Sequence, residues 1–264
     1  MSPTRAPAVA GFFYPEDSAE LESAVAGYLA AVPAPPSDAP IPKALIVPHA
    51  GYIYSGPVAA SGYARIAGQR RAIRRIVLLG PSHRIPLHGL AASHADAFDT
   101  PLGAVPLDRG AIDEILDFPQ VQIFDAAHRD EHSLEVQLPF LQYMLESFSL
   151  VPLSVGDAEP EEVGAVIERL WGGPETLFVV SSDLSHYHDY ETARRLDAAT
   201  THAIETLDVN ALGPDAACGR APARGLLAAA KRHGLSVETV DLRSSGDTAG
   251  DKRRVVGYGS YVFC

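Results

Sequence analysis

Cysteine is scarce in this chain: Cys218 and Cys264 are the only two among 264 residues. Two thiols build neither a disulfide framework nor a thiolate cluster, although a single bridge between them stays open, and a reducing cytoplasm is the expected setting. Basic residues are in short supply as well. Lys and Arg number 21 against 33 Asp and Glu, for a formal net charge of −12. A field of that sign repels phosphate backbones and anionic lipid, so neither nucleic acid nor membrane is an expected partner. The small basic groups Arg70-Arg71, Arg74-Arg75 and Lys252-Arg253-Arg254 read as solvated clusters flanking strands. Apolar runs are all short. None reaches the roughly 18 residues of a membrane span, and Met1-Ser2-Pro3-Thr4-Arg5 lacks the apolar core of a secretory leader.

What is present is an alternation of short apolar runs and amphipathic stretches. The runs Ala44–Val47 and Arg75–Leu79 read as strands, with a helix around Pro57–Gln69 between them, which makes a βαβ unit and implies parallel pairing. Further strands are expected at Gly89–Ala92, Val121–Phe124, Leu150–Val155, Leu177–Ser181, Val237–Arg243 and Val255–Phe263. Helices are expected at Glu16–Ala31, Leu134–Ser147, Pro160–Trp171, Tyr190–Leu207 and Ala221–His233. A link with five prolines spans Val32 to Pro42 and is too short to separate domains. The expectation is one domain over residues 1–264, a three-layer α/β/α sandwich around a central, mostly parallel mixed sheet.

Chemistry-bearing residues cluster just past the expected strand ends. In open α/β sheets, ligands bind in the crevice beyond the carboxyl ends of the strands. His49 follows Ala44–Val47 in Pro48-His49-Ala50-Gly51-Tyr52, and His83 follows the next strand in Gly80-Pro81-Ser82-His83. Either histidine alone suits a helix cap; the repeated context favours two imidazoles sharing one metal. A third strand end carries Ser181-Ser182-Asp183-Leu184-Ser185-His186-Tyr187-His188. Asp183 could ligate a metal or accept the second ring N–H of a ligand histidine, and His186 could move a proton. The alternative there is an Asx turn with satisfied histidines.

Asp130-Glu131-His132-Ser133-Leu134-Glu135 reads as a helix start. Ser133 resembles an N-cap, and the carboxylates, Glu135 among them, suit the helix dipole. His132 has no place in that explanation and stands as a candidate. Cys218, beside Gly219 and just before a helix, is either a small buried hydrophobe or a thiolate favoured by a helix N-terminus. Gly246-Asp247-Thr248 with Gly250-Asp251 reads as a hairpin turn before the last strand, a position on the pocket rim being the alternative, and His88 and His94 read as surface or packing residues.

Taken together the segments resemble the Memo family, also called AmmeMemoRadiSam system protein B. The resemblance rests on six stretches in order: Pro48 to Tyr52, Gly80 to His83, Asp130 to Ser133, Ser181 to Asp183 with His186, Cys218 to Arg220, and Val256-Gly257-Tyr258-Gly259-Ser260-Tyr261. It implies a fold like the class III extradiol (LigB-type) dioxygenases, which hold non-haem Fe(II) with two histidines and a glutamate. It also implies that His49, His83 and Cys218 line the corresponding pocket as metal ligands, with His132, Asp183 and His186 as catalytic groups around an open position. A thiolate then stands where the dioxygenases have a carboxylate, which shifts preference towards softer, redox-active metals such as copper, so ring cleavage is not carried over. Ser185 stands where some Memo proteins have a cysteine. Memo relatives are associated with copper-dependent redox chemistry and phosphopeptide binding, and bacterial-type members accompany a radical-SAM protein and an AMMECR-domain protein. The function these features imply is an Fe(II)- or Cu-dependent redox enzyme acting on a small-molecule or peptide ligand in the pocket. The alternatives are a non-catalytic binding scaffold and a metal-assisted hydrolase.

Overall fold

The computed structural model describes residues 4–36 and 39–264; Ser37 and Asp38, in the Pro-rich link, and the first three residues of the expected domain lie outside the described residues. Nine strands form the main sheet: β1 (Ala44–Val47), β2 (Arg75–Pro81), β3 (Leu90–Ala92), β4 (Val121–Ile123), β5 (Ser149–Val155), β6 (Thr176–Ser181), β7 (His186–His188), β8 (Val237–Ser244) and β9 (Val255–Phe263). Their order is β7-β9-β1-β6-β2-β5-β3-β4, with β8 also paired to β9. At the centre β1, β6, β2 and β5 are mutually parallel. Their residues are almost all buried, as a sheet covered on both faces requires, so they read as continuous apolar runs rather than alternating ones. The flanks are antiparallel, β9 on β1 and β3 on β5.

The side-chain alternation of β9 shows the two covering layers. Ser260 Oγ donates to the Val58 carbonyl of the Tyr52–Tyr63 helix, while the next residue, Tyr261, meets Thr201 of the Tyr190–Glu205 helix through its hydroxyl. Successive strand residues point to opposite faces, so these helices lie on opposite sides of the sheet. The fold is thus the mixed three-layer α/β/α arrangement.

Local differences from the expected elements have physical causes. The first long helix runs Ser18–Ala30 because the Asp17 side chain accepts from the backbone N–H groups of Ala19 and Glu20. The helix expected from Pro57 begins at Tyr52 and gives way to a 3₁₀ stretch, Ala64–Gln69. Its orphan Tyr52 N–H is taken by the Phe13 carbonyl, so no side-chain cap is needed. The helix expected from Leu134 is a 3₁₀ turn, Glu135–Gln137, followed by Leu138–Met144. The strand His186–His188 and a small sheet of Thr4–Arg5, Ala97–Thr100 and Gly103–Pro106 are too short to read from pattern. The expected turn near Gly246 is a four-residue helix, Ser245–Thr248. Both cysteines are free, so the possible bridge between them is not formed. No helix of the described residues is long and apolar enough to cross a membrane.

Candidate metal centre

Three adjacent parallel strands end within one residue of a common level and deliver one residue each. His49 lies two positions beyond β1, Asp183 two beyond β6 and His83 two beyond β2. The loop after Asp130 brings a third imidazole, His132. Ligand atoms of His49, His83 and His132 all lie within 4.8 Å of one another, a group that could hold a metal ion. The ring centroids stand 5.2 Å apart for His49 and His83, 5.4 Å for His49 and His132, and 4.7 Å for His83 and His132. They line a cavity of about 670 Å³ together with Asp183, His186 and Tyr258. A larger cavity, about 960 Å³, lies beside the N-terminal segment and Arg129 and carries none of the three imidazoles.

Hydrogen bonds fix the tautomers. The Ser181 hydroxyl donates to the Ser133 carbonyl, 2.6 Å away, and accepts from Gln137 Nε2 at 2.7 Å. Its one proton being committed, it can only accept from His49 Nδ1, 2.9 Å away. His49 therefore carries its proton on Nδ1 and presents the Nε2 lone pair. His83 is set the same way by Glu131, whose Oε1 accepts from Nδ1 at 2.9 Å, leaving Nε2 free. His132 Nδ1 is buried without a hydrogen-bond partner, although it lies 3.2 Å from Glu131 Oε1.

Glu131 also accepts backbone N–H bonds from His83, His132 and Ser133. Burial alone would raise its carboxyl; the His83 ring and these donors outweigh it and hold the group at about 2. Burial pushes His132 down to about 4 and His49 and His186 downward too, so these imidazoles stay neutral, the form that binds metals.

Asp183 lines the cavity, where its carboxylate meets the His49 backbone rather than an imidazole ring. Its Oδ1 accepts the backbone N–H of His49 at 2.8 Å, and burial pushes the carboxyl up to about 7 against that pull. His186 sits on the same wall from β7. Cys218 falls outside the group of three imidazoles. Its Sγ lies 3.2 Å from His49 Nε2 and accepts the Asp183 backbone N–H at 3.2 Å. Burial, reinforced by Asp183, pushes its thiol up, the opposite of a thiolate poised by the helix that starts at Arg220.

The family description "Memo-like protein" matches residues 5–262. A MEMO1 family protein of Aquifex aeolicus is 38% identical over 273 residues, covering 98% of each chain. One from Metallosphaera sedula is 34% identical, covering 96% of this chain and 97% of its own. The chain belongs to the Memo family. In fold it is also similar to the crystal structure of uncharacterized protein JW3007 from Escherichia coli K12, with a TM-score of 0.54 at 14% identity over 83% of this chain and 98% of that one.

Around this Memo pocket, sequence reasoning missed Ser181, Gln137 and Glu131 as the groups that orient the imidazoles. Glu131 and Ser133 had a sufficient explanation as a helix start. In fact Ser133 is fully buried and its hydroxyl donates to the Pro81 carbonyl, so it caps nothing. Glu135 is likewise no cap: it is fully buried and accepts from Arg5, Ala8, Val9 and Tyr14. His88, His94 and His188 are exposed. Ser181→Ala should release His49 from its tautomer and weaken metal binding by roughly 10- to 100-fold, the usual cost of losing such a partner. Competitive metal titration, with imidazole nitrogen spectra to report the His49 tautomer, checks this.

Proposed function

We propose that this Memo protein is a metal-dependent oxidoreductase, iron or copper being the metal, acting on a small ligand that enters the His49 pocket. The observation that carries the reading is the convergence of three imidazoles from separate segments, two of them with assigned Nε2 lone pairs. The donor chemistry fits a transition ion: imidazoles suit iron, copper and zinc, and the Cys218 sulfur beside His49 Nε2 adds a soft donor for copper. His49 and His83 would hold the ion with His132, and Cys218 would join on the His49 side. Such an ion, when bound, supplies Lewis acidity and one-electron chemistry at the mouth of the three rings.

The chain's own groups do the rest. Glu131 and Ser181 keep the ring nitrogens oriented. Asp183 holds the His49 backbone in place. His186, on the cavity wall and neutral, is placed to take a proton from a bound ligand. The reading also assigns the protein to a reducing, cytoplasmic compartment, where its two thiols stay free, and to a shared pathway with a radical-SAM protein and an AMMECR-domain protein.

A second reading is favoured by the same trio. Three histidines are the donor set of a catalytic zinc that activates a bound water, so a metal-assisted hydrolase follows if zinc is the ion. Anaerobic purification with elemental analysis, followed by O₂ uptake on catechols and small reductants, separates the two. Iron or copper with reductant- or catechol-dependent O₂ uptake is the expected result, and His83→Ala should abolish both metal and uptake. Zinc without uptake would move the protein to the hydrolase reading, and absence of any bound metal would leave a binding scaffold.

A further inference from the structure

The last basic cluster of the chain is exposed and flanks β9, as a solvated cluster would, but its members are not equivalent. Its three cations are divided among three settings. Lys252 sits over the Tyr190 ring, 4.1 Å from the centroid. Arg253 pairs with Asp251 in an exposed ion pair. Arg254 makes no ion pair among the described residues and lines the cavity of the three imidazoles, its guanidinium 5.2 Å from the centroid of Tyr187.

Tyr187 is held there at a cost. It has φ 62, the left-handed region that a bulky residue rarely enters. The strand β7 is irregular at this point: His186 pairs with Val256 and His188 with Val255, so the pairing shifts across Tyr187. A bulge of this kind re-aims a side chain, and strain of this kind persists only where the surroundings over-determine it. The result is an aromatic ring, 64% exposed, standing at the cavity mouth over an arginine. Stacked on a ring, a guanidinium keeps its N–H edge free and loses little freedom when it binds two oxygens at once.

The charges around Arg254 leave it uncommitted. Asp251, the nearest acid in sequence that also lines the cavity, is taken by Arg253. Asp183 faces the His49 backbone N–H, and Glu131 is occupied by His83 and three backbone donors. Phe13, Tyr54 and Tyr258 add aromatic surface to the lining of the same cavity.

We propose that Arg254, pinned by Tyr187, is the anion anchor of this pocket, and that the ligand it selects is a small organic oxyanion, a carboxylate or a phosphate ester, on an unsaturated body. This rests on the reading that the His49 pocket takes a small ligand; it does not require that a metal be bound. The chain's net charge of −12 does not oppose it, because at physiological salt the field beyond about 8 Å is screened and the neighbouring arginine decides.

The test uses the full chain without metal and three probes: benzoate, phenyl phosphate and benzyl alcohol, titrated by calorimetry and by aromatic proton shifts. At least one of the two anions should bind more tightly than the alcohol by roughly 10- to 100-fold, as charge-assisted bonds do. Arg254→Gln should erase that preference and Arg254→Lys should keep part of it, with unchanged thermal unfolding because Arg254 is exposed. Tighter phenyl phosphate than benzoate identifies a phosphate ester; the reverse identifies a carboxylate. Equal binding of anions and alcohol, no binding of either anion, or full anion preference in Arg254→Gln would overturn the assignment. His83→Ala separates the two readings: it should lose metal while keeping the anion preference, so failure to load metal leaves the anchor standing and loss of the anchor leaves the metal site standing.

Discussion

Glu135→Ala should destabilise the fold by about 3–5 kcal/mol, the cost of breaking a buried ion pair from one side. Glu135 is fully buried and its carboxylate meets Arg5, which is itself buried. The same carboxylate accepts the backbone N–H groups of Ala8 at 2.8 Å and Val9 at 3.0 Å and the Tyr14 hydroxyl at 2.5 Å. Alanine leaves an uncompensated guanidinium and two orphaned backbone donors under the N-terminal segment. Arg5 keeps its bonds to the His128 and Glu131 carbonyls, which soften the loss but carry no charge. At roughly 2–4 °C per kcal/mol for a chain of this size, the melting temperature should fall by about 10 °C. The paired change Arg5→Met with Glu135→Leu should recover only part of this. It removes the charge but leaves Ala8 and Val9 unsatisfied. A shift of a degree or two in Glu135→Ala would show that the hub contributes little. The segment matters to the pocket because Phe13, at its end, packs 4.7 Å from His132 between ring centroids and gives its carbonyl to Tyr52. Limited proteolysis should therefore cut the variant first near the N-terminus.

The strands at the centre of the sheet were legible because parallel strands covered on both faces must be apolar throughout. The site residues that leave those strands were legible for the same reason. His49, His83 and Asp183 sit at one offset, two residues past the strand end, on three neighbours that end within one residue of a common level. What could not be read is whatever depends on the partner. Glu135 looks like a first-turn acid until Arg5, Ala8, Val9 and Tyr14 arrive from 121 to 130 positions away. Ser181 looks like an ordinary strand-end serine, and only the Ser133 carbonyl, 48 positions off, makes its hydroxyl decide a histidine tautomer. Arg254 belongs to a basic run whose three members look alike in sequence. Only Arg254 meets Tyr187, and the shifted register that sets that ring in place is announced by no local pattern. The grouping of His132 with His49 and His83 is of this kind too, since it depends on how the Asp130–Ser133 loop folds over Glu131.

His132→Ala and Cys218→Ser should affect metal binding in different ways. Removing His132 takes one of three imidazole donors from the group. Affinity for iron, copper and zinc should all fall by more than the roughly 10- to 100-fold expected for an orienting partner. Cys218→Ser keeps the shape beside His49 Nε2, where the sulfur stands at 3.2 Å, and removes only the soft donor. Serine oxygen still accepts the Asp183 N–H, so the local backbone should hold. Because burial and Asp183 push the thiol up, a thiolate forms at this position only when a cation replaces the proton. Cu(I), which prefers thiolate, should therefore be lost from Cys218→Ser, while Fe(II) and Zn(II), held by imidazoles, should change little. Cys218→Asp should raise the preference for Fe(II) by placing a carboxylate beside the histidines, as in non-haem iron sites. Anaerobic competitive loading of the four proteins, with metal content read by elemental analysis, checks all three. If Cys218→Ser matches the parent in metal preference, the sulfur is packing against His49 and nothing more. If His132→Ala also loads normally, the ion is held by His49 and His83 with some other donor, and the role left to His132 is its contact with Phe13 at the cavity wall.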